Sequence, residues 1–121
     1  MKPFTRADRV ASLIQKNLSD ILRKGIKDPR LEMAIITSVK MSPDLKSARI
    51  YFSTSGKKSR EEASEGFKSA LGYIKRTLAR ELELRYMPDL QFFYDESFDY
   101  GSYIDGILKD VRSEESEESE K

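Results

Sequence analysis

Phe67, Leu71, Ile74, Leu78 and Leu82 recur at steps of four, three, four and four, so the stretch from residue 67 to 82 has one continuous apolar face if it is helical and none if it is extended. Such a helix has to lie against another apolar layer. Two segments upstream supply it. Ala34 to Val39 and Ala48 to Thr54 are rich in branched and aromatic residues, and Ser42-Pro43-Asp44-Leu45-Lys46 between them has turn composition, which predicts two neighbouring antiparallel strands. In the second, Ala48, Ile50 and Phe52 alternate with Arg49, Tyr51 and Ser53, the pattern of a sheet with one face in the core and one in water.

The remaining elements fit around this layer. Thr5 and Asp8 have the spacing of a capping box, and Val10, Leu13, Ile14, Leu18, Ile21 and Leu22 follow at helical spacing, predicting a helix to about Lys24. Gly25 is expected to end it in the left-handed conformation, before Asp28-Pro29 turns the chain. Ser55 to Ser59 reads as a polar loop. Gly72 interrupts the apolar stripe, where a glycine costs about 1 kcal/mol relative to alanine; it marks either a kink between two helices or a close approach to the backbone. Met87-Pro88 ends the helical stretch, Leu90 to Tyr94 makes a third strand, and Ile104, Ile107, Leu108 and Val111 belong to a short amphipathic helix started by Asp95 or Ser97. With 121 residues this is one α+β domain over residues 1–112, followed by a Ser/Glu tail, residues 113–121, that has nothing to bury and is expected to be disordered. The basic start lacks an apolar run and no stretch is long enough to span a bilayer, so a cytoplasmic protein with no membrane contact is expected.

Composition narrows the chemistry. The chain has neither histidine nor cysteine, which removes the commonest zinc ligands, the usual neutral-pH general base and the thiolate nucleophile. No metal, cofactor or small-molecule substrate is expected. Asp95, Glu96 and Asp99 are the best catalytic candidates, yet no nucleophile or phosphate-cradling loop accompanies them. The formal net charge of +1 hides a gradient: residues 1–90 hold 19 basic against 11 acidic side chains, a net +8, while residues 91–112 are net −3 and the tail is net −4. That asymmetry suits nucleic-acid binding joined to an acidic end.

The positive charge is patterned. Arg9, Lys16 and Arg23, seven apart, lie across the first helix from its apolar side, with Asp20 close enough to weaken the stripe. Tyr73, Arg76 and Arg80 lie away from Leu71, Ile74, Leu78 and Leu82, so a ring that can stack a base stands beside two guanidiniums. With Arg6, Lys27, Arg30, Lys46, Arg49, Lys75 and Arg85 they form the candidate RNA-contacting set. Each stripe taken alone is equally an ordinary solvated helix face. A protein-interaction module with an incidental basic surface remains the alternative.

Six strings carry a family resemblance: Arg6-Ala7-Asp8-Arg9-Val10; Lys27-Asp28-Pro29-Arg30-Leu31; Met41-Ser42-Pro43-Asp44-Leu45; Ala48-Arg49-Ile50-Tyr51-Phe52; Leu84-Arg85-Tyr86-Met87-Pro88-Asp89-Leu90; and Tyr94-Asp95-Glu96-Ser97, followed by Ile104-Asp105-Gly106-Ile107-Leu108. In this order, over residues 4 to about 110, the chain resembles the bacterial ribosome-binding factor A family. The resemblance implies a type II KH-like fold, helix-strand-strand-helix-kink-helix-strand, with a three-stranded sheet packed against helices. It also implies that Ala70-Leu71-Gly72 is the Ala-x-Gly interruption standing where KH domains carry a GxxG loop, which favours shape and phosphate contacts on structured RNA. The implied activity is non-enzymatic: a monomer binds free 30S subunits rather than 70S ribosomes, through the 16S rRNA, and supports late maturation and processing near the rRNA's 5′-terminal helix. Assembly GTPases are the further partners it suggests. Glu32 departs from the pattern, standing where many relatives have glycine.

Overall fold

The computed structural model describes residues 4–119, and their side chains through Asp110 with the exception of Lys57. Helix α1 spans Arg6–Asp20 and opens with the expected capping box: Asp8 N–H donates to Thr5 Oγ1 (3.1 Å) and Thr5 N–H to Asp8 Oδ2 (3.0 Å). These bonds satisfy donors that an uncapped helix would leave to water. Val10, Ala11, Ile14 and Leu18 are buried, whereas Leu13, expected on the same stripe, is exposed.

The end of this helix differs from the expectation. Its last turn widens into a π-helical turn, Ile21–Gly25, closed by Ile26 N–H donating to Ile21 O (3.1 Å), and no glycine has positive φ. Gly25 is therefore not a left-handed cap. A Cβ there would stand 2.9 Å from Tyr73 Oη, so the bare backbone is what admits the tyrosine. A 3-10 turn at Pro29–Leu31, capped by Asp28, leads to the sheet.

Strands β1 (Ile35–Met41) and β2 (Ser47–Ser53) pair antiparallel as expected, and β3 (Asp89–Tyr94) pairs parallel with β2, giving a mixed sheet in the order β1-β2-β3. The turn between β1 and β2 is held by Asp44, which accepts from Ser42 Oγ (2.6 Å) and Lys46 N–H (3.0 Å), while Leu45 takes positive φ. The register of β1 shifts between Ile36 and Ser38. The extra residue is Thr37, and it resets the alternation so that Ile36 and Val39, an odd step apart, both reach the core opposite Phe52 and Ile50. Two long-range hydrogen bonds secure the bulge: Thr37 Oγ1 to Asp95 Oδ2 (2.7 Å) and Gln15 Nε2 to Thr37 O (3.2 Å). Ser53, expected on the wet face, is fully buried. It pairs with Ile35 at the end of the sheet where the chain leaves β3, next to the bond from Asp95 N–H to Phe52 O (2.7 Å).

Helix α2 runs unbroken over Lys57–Leu82, so the expected pair of helices joined by a kink is one element, and the expected loop Ser55–Ser59 already contains its first turn. It ends before Met87-Pro88, at Glu83 in the left-handed conformation. Gly72 is exposed, and the nearest atom to a Cβ placed there is Arg76 Nη1 at 3.3 Å, on the next turn of the same helix. The glycine that a neighbouring element needs is Gly66: a Cβ on it would come within 2.9 Å of two Leu31 side-chain carbons. There α2 packs on the Pro29–Leu31 turn.

Together α1 and α2 cover one face of the sheet. Ile14, Leu18, Ile50, Phe52, Phe67, Ile74 and Leu78 meet in the core, with the rings of Phe67 and Phe92 stacked at 4.5 Å and Phe52 tilted against Phe67 at 5.0 Å. Fully burying a side chain such as Phe67 contributes about 1.5–3 kcal/mol. Helix α3 (Tyr100–Ser119) is longer than the short helix expected, its backbone continuing into the Ser/Glu segment; residues 120–121 and the side chains of the tail lie outside the described residues. Neither Asp95 nor Ser97 caps α3. Asp99 does, accepting from Ser102 N–H (3.0 Å) and Ser102 Oγ (2.8 Å).

Candidate nucleic-acid interface

The close contact of Gly25 with Tyr73 brings the end of α1, which carries Arg23, against the middle of α2, which carries Arg76. Arg23 and Lys27 are exposed at the end of α1 and beyond it, on the rim of a groove of about 860 Å³ whose walls include Leu22, Ile26, Ile35 and Tyr103. On α2, Tyr73 is 40% exposed, with its hydroxyl over the Gly25 backbone. Arg76 lies back over Gly72 and, with Ala79 and Arg80, lines a shallow depression of about 500 Å³. Small residues at 72 and 79 thus leave the helix backbone accessible beside two guanidiniums, a geometry open to a phosphate.

The candidates are not equivalent. Arg30 is half-buried, and its guanidinium clasps Asp28, with Nε at 3.1 and 3.2 Å from the two carboxylate oxygens and Nη2 at 2.8 Å. That guanidinium holds the Asp28 carboxyl below the usual range. Arg23 is paired with Asp20, the carboxylate expected to weaken its stripe. Arg6, Arg9 and Lys16 are exposed along α1, and Lys75 is half-buried beside Arg76. Arg85 lies over the Tyr86 ring at 5.6 Å, beyond the end of α2. Lys46 belongs to the β1–β2 turn. Arg49 projects from the sheet face opposite the helices, since its neighbours Ala48 and Ile50 are fully buried on the helix side. Arg49 therefore does not join the cluster on α1 and α2.

That second face holds groups absent from the candidate set: Lys40, Tyr51 and Phe93. Strand alternation places Tyr51 beside Arg49, but Phe93 joins them only through the parallel register of β3, which sequence spacing does not reveal.

The carboxylates of the acidic cluster all have partners within the protein. Asp95 accepts from Ser97 Oγ (2.6 Å), Ser97 N–H (3.0 Å) and Thr37 Oγ1 (2.7 Å), and the Ser97 and Thr37 hydroxyls hold its carboxyl below the usual range despite some burial. Glu96 pairs with Arg60 at 2.8 Å, and the Ser102 N–H and hydroxyl likewise lower Asp99. Asp95 thus holds the bulge and Asp99 the start of α3, while Glu96 makes an exposed ion pair. No helix among the described residues is long and apolar enough to cross a membrane.

Comparison with known proteins identifies the family. The ribosome-binding factor A family model matches residues 6–108. A ribosome-binding factor A from Desulfosudis oleivorans is 52% identical over 118 residues, covering 97% of this chain and 92% of its own length. A Thermotoga maritima ribosome binding factor A structure solved by NMR superposes with a TM-score of 0.69 at 30% identity, over 82% of this chain and 95% of that one. A Thermus thermophilus ribosome binding factor A, fitted into a cryo-electron microscopy map of its 30S complex, shares the fold with a TM-score of 0.65 at 21% identity, over 78% of this chain and 99% of that one. A match that begins at the first residue of α1 and runs through all three strands into α3, with relatives near half identity over almost the whole length, places this chain in the ribosome-binding factor A family.

Proposed function

We propose that this protein is a non-catalytic, cytoplasmic assembly factor that binds free 30S subunits as a monomer, discriminates against 70S ribosomes, and supports late maturation and 16S rRNA processing near the rRNA's 5′-terminal helix. The observation that supports the reading, beyond family membership, is the seating of Tyr73 over Gly25, which joins the end of α1, where Arg23 and Lys27 are exposed, to the helix that carries the exposed Arg76 and Arg80. Cations around an exposed aromatic ring hold structured RNA by its phosphates and stack an adjacent base. The reaction needs no chemistry from the protein. A binder that prefers the immature arrangement shifts the RNA toward it by no more than the difference between its two affinities, and it leaves as maturation removes that difference. An assembly GTPase that drives this step is compatible with the same scheme.

Sedimentation of the purified protein with 30S subunits, 50S subunits and 70S ribosomes tests the proposal. Comigration with 30S subunits alone is expected. Equal binding to 70S ribosomes would overturn the preference for an immature state.

A further inference from the structure

We infer that the sheet face turned away from the helices is a second RNA-contacting surface, a stacking platform for unpaired bases. The inference takes its ligand class from the proposed function and adds a site and a binding mode that the helix-side cluster does not supply. Tyr51 of β2 and Phe93 of β3 are directly opposite in the parallel pairing, with ring centroids 5.8 Å apart and planes inclined by 33°. On the β1 side the partner of Tyr51 is Ser38, too small to cover the ring. Phe93 is 43% exposed, a large apolar ring beside the exposed Lys40, Arg49 and Gln91.

The adjoining row explains what such rings are suited to hold. Lys40, Arg49 and Gln91 pair across the three strands, all exposed, and Lys40 Nζ stands 5.7 Å from the Tyr51 centroid. The two rows contain no carboxylate; of those that flank them, Asp89 at the start of β3 accepts from Gln91 Nε2 at 3.2 Å, and Asp95, two residues beyond Phe93, is held by the Thr37 and Ser97 hydroxyls. The patch therefore combines two π faces on adjacent strands, two cations along one side and an amide able to meet a base edge. Aromatic faces take bases without regard to sequence, and the cations neutralise the phosphates between them. An acidic protein surface would match the charge but not the paired rings. A base-paired helix would match the charge too, but its bases are already stacked.

The chain has no tryptophan, so Phe93→Trp places a single reporter at the platform. Its emission should be quenched saturably by an eight-nucleotide single-stranded oligoadenylate and left unchanged by a blunt RNA duplex. In the otherwise unaltered protein, Tyr51→Leu with Phe93→Leu keeps apolar bulk while removing both rings, and should weaken oligoadenylate binding at least about tenfold. Should the pair fail to fold by circular dichroism, Phe93→Leu alone, at the more exposed ring, is expected to weaken it about threefold or more. Absence of quenching, single-strand binding unaffected by ring removal, or a dimer that the double substitution dissolves would each overturn the platform. Retained 30S comigration in those cases would leave the proposed function standing, so the two failures are separable.

Discussion

The backbone of Gly25 lies beneath the hydroxyl of Tyr73, so close that a Cβ at residue 25 would stand 2.9 Å from Tyr73 Oη and 3.7 Å from the ring carbons behind it. The contact couples the end of one basic helix to the ring of the other. Because the obstructing atom is the far end of a side chain, Gly25→Ala should displace the ring rather than break the fold. Expected are a stability change within about 1 kcal/mol and an altered near-ultraviolet tyrosine signal. Weaker RNA binding with intact stability would identify the ring position as the functional quantity.

Gly66 and Gly72 share a helix and should respond in opposite directions. A Cβ at Gly66 meets Leu31, itself 3% exposed, at 2.9 Å and Arg30 Cβ at 3.3 Å, so Gly66→Ala overpacks the contact of α2 with the 3-10 turn and should cost about 1–3 kcal/mol in chemical denaturation. Gly72→Ala meets only the mobile end of Arg76 and should stabilise the helix by about 0.5–1 kcal/mol. A loss of subunit affinity in that stabilised variant would show that RNA approaches the backbone at residue 72.

Asp95 gives the fold an acid-sensitive joint. The Ser97 and Thr37 hydroxyls lower its folded-state pKa. Its contribution to stability is therefore complete above the ordinary carboxylate value of about 3.9 and is lost as pH falls through the lower folded value. Asp95→Asn should lower stability at neutral pH by about 1–3 kcal/mol and flatten the fall in stability below about pH 4. Thr37→Val should reproduce part of both effects. An unchanged acid limb in Asp95→Asn would refute the role.

Arg76 and Arg80 are exposed beside an open depression, so replacing both with alanine should leave the melting temperature nearly unchanged. Phosphate contacts would be lost instead. The logarithmic salt dependence of 30S binding should become shallower by about 1–2, and affinity at low salt should fall. A weak salt dependence already present in the unaltered protein would favour an apolar protein contact.

Local signals carried much of the architecture into the sequence. The Thr5–Asp8 box, the alternation of β2 as far as Phe52 and the stripe from Phe67 to Leu82 depend on neighbours within a turn or two, and all three stand in the structure. Features that depend on distant partners were not legible. The bulge at Thr37 is held by Asp95, 58 residues away, and the tight glycine is Gly66 because Leu31 is packed against it, whereas Gly72 drew attention only by interrupting a stripe. In the candidate site, side-chain type and helical spacing were enough to put Tyr73, Arg76 and Arg80 on the exposed side of α2. They were not enough to show that Asp28 engages Arg30 or that Phe93 shares a face with Arg49, because both facts come from tertiary geometry.

The parallel placement of β3 also sets an order of events in folding. Strands β1 and β2 are neighbours in sequence and close a short loop, but Ser47 meets Asp89 only after the whole of α2 has been crossed. During synthesis, Phe67 therefore waits for Phe92, the ring it stacks on, until the chain is three-quarters made. An interval with an incomplete core and an unpaired β2 edge is built into the topology. Pulse-labelling hydrogen exchange during refolding should find the β3 amides protected after those shared by β1 and β2, and simultaneous protection would show that the helix and both of its flanking strands condense together.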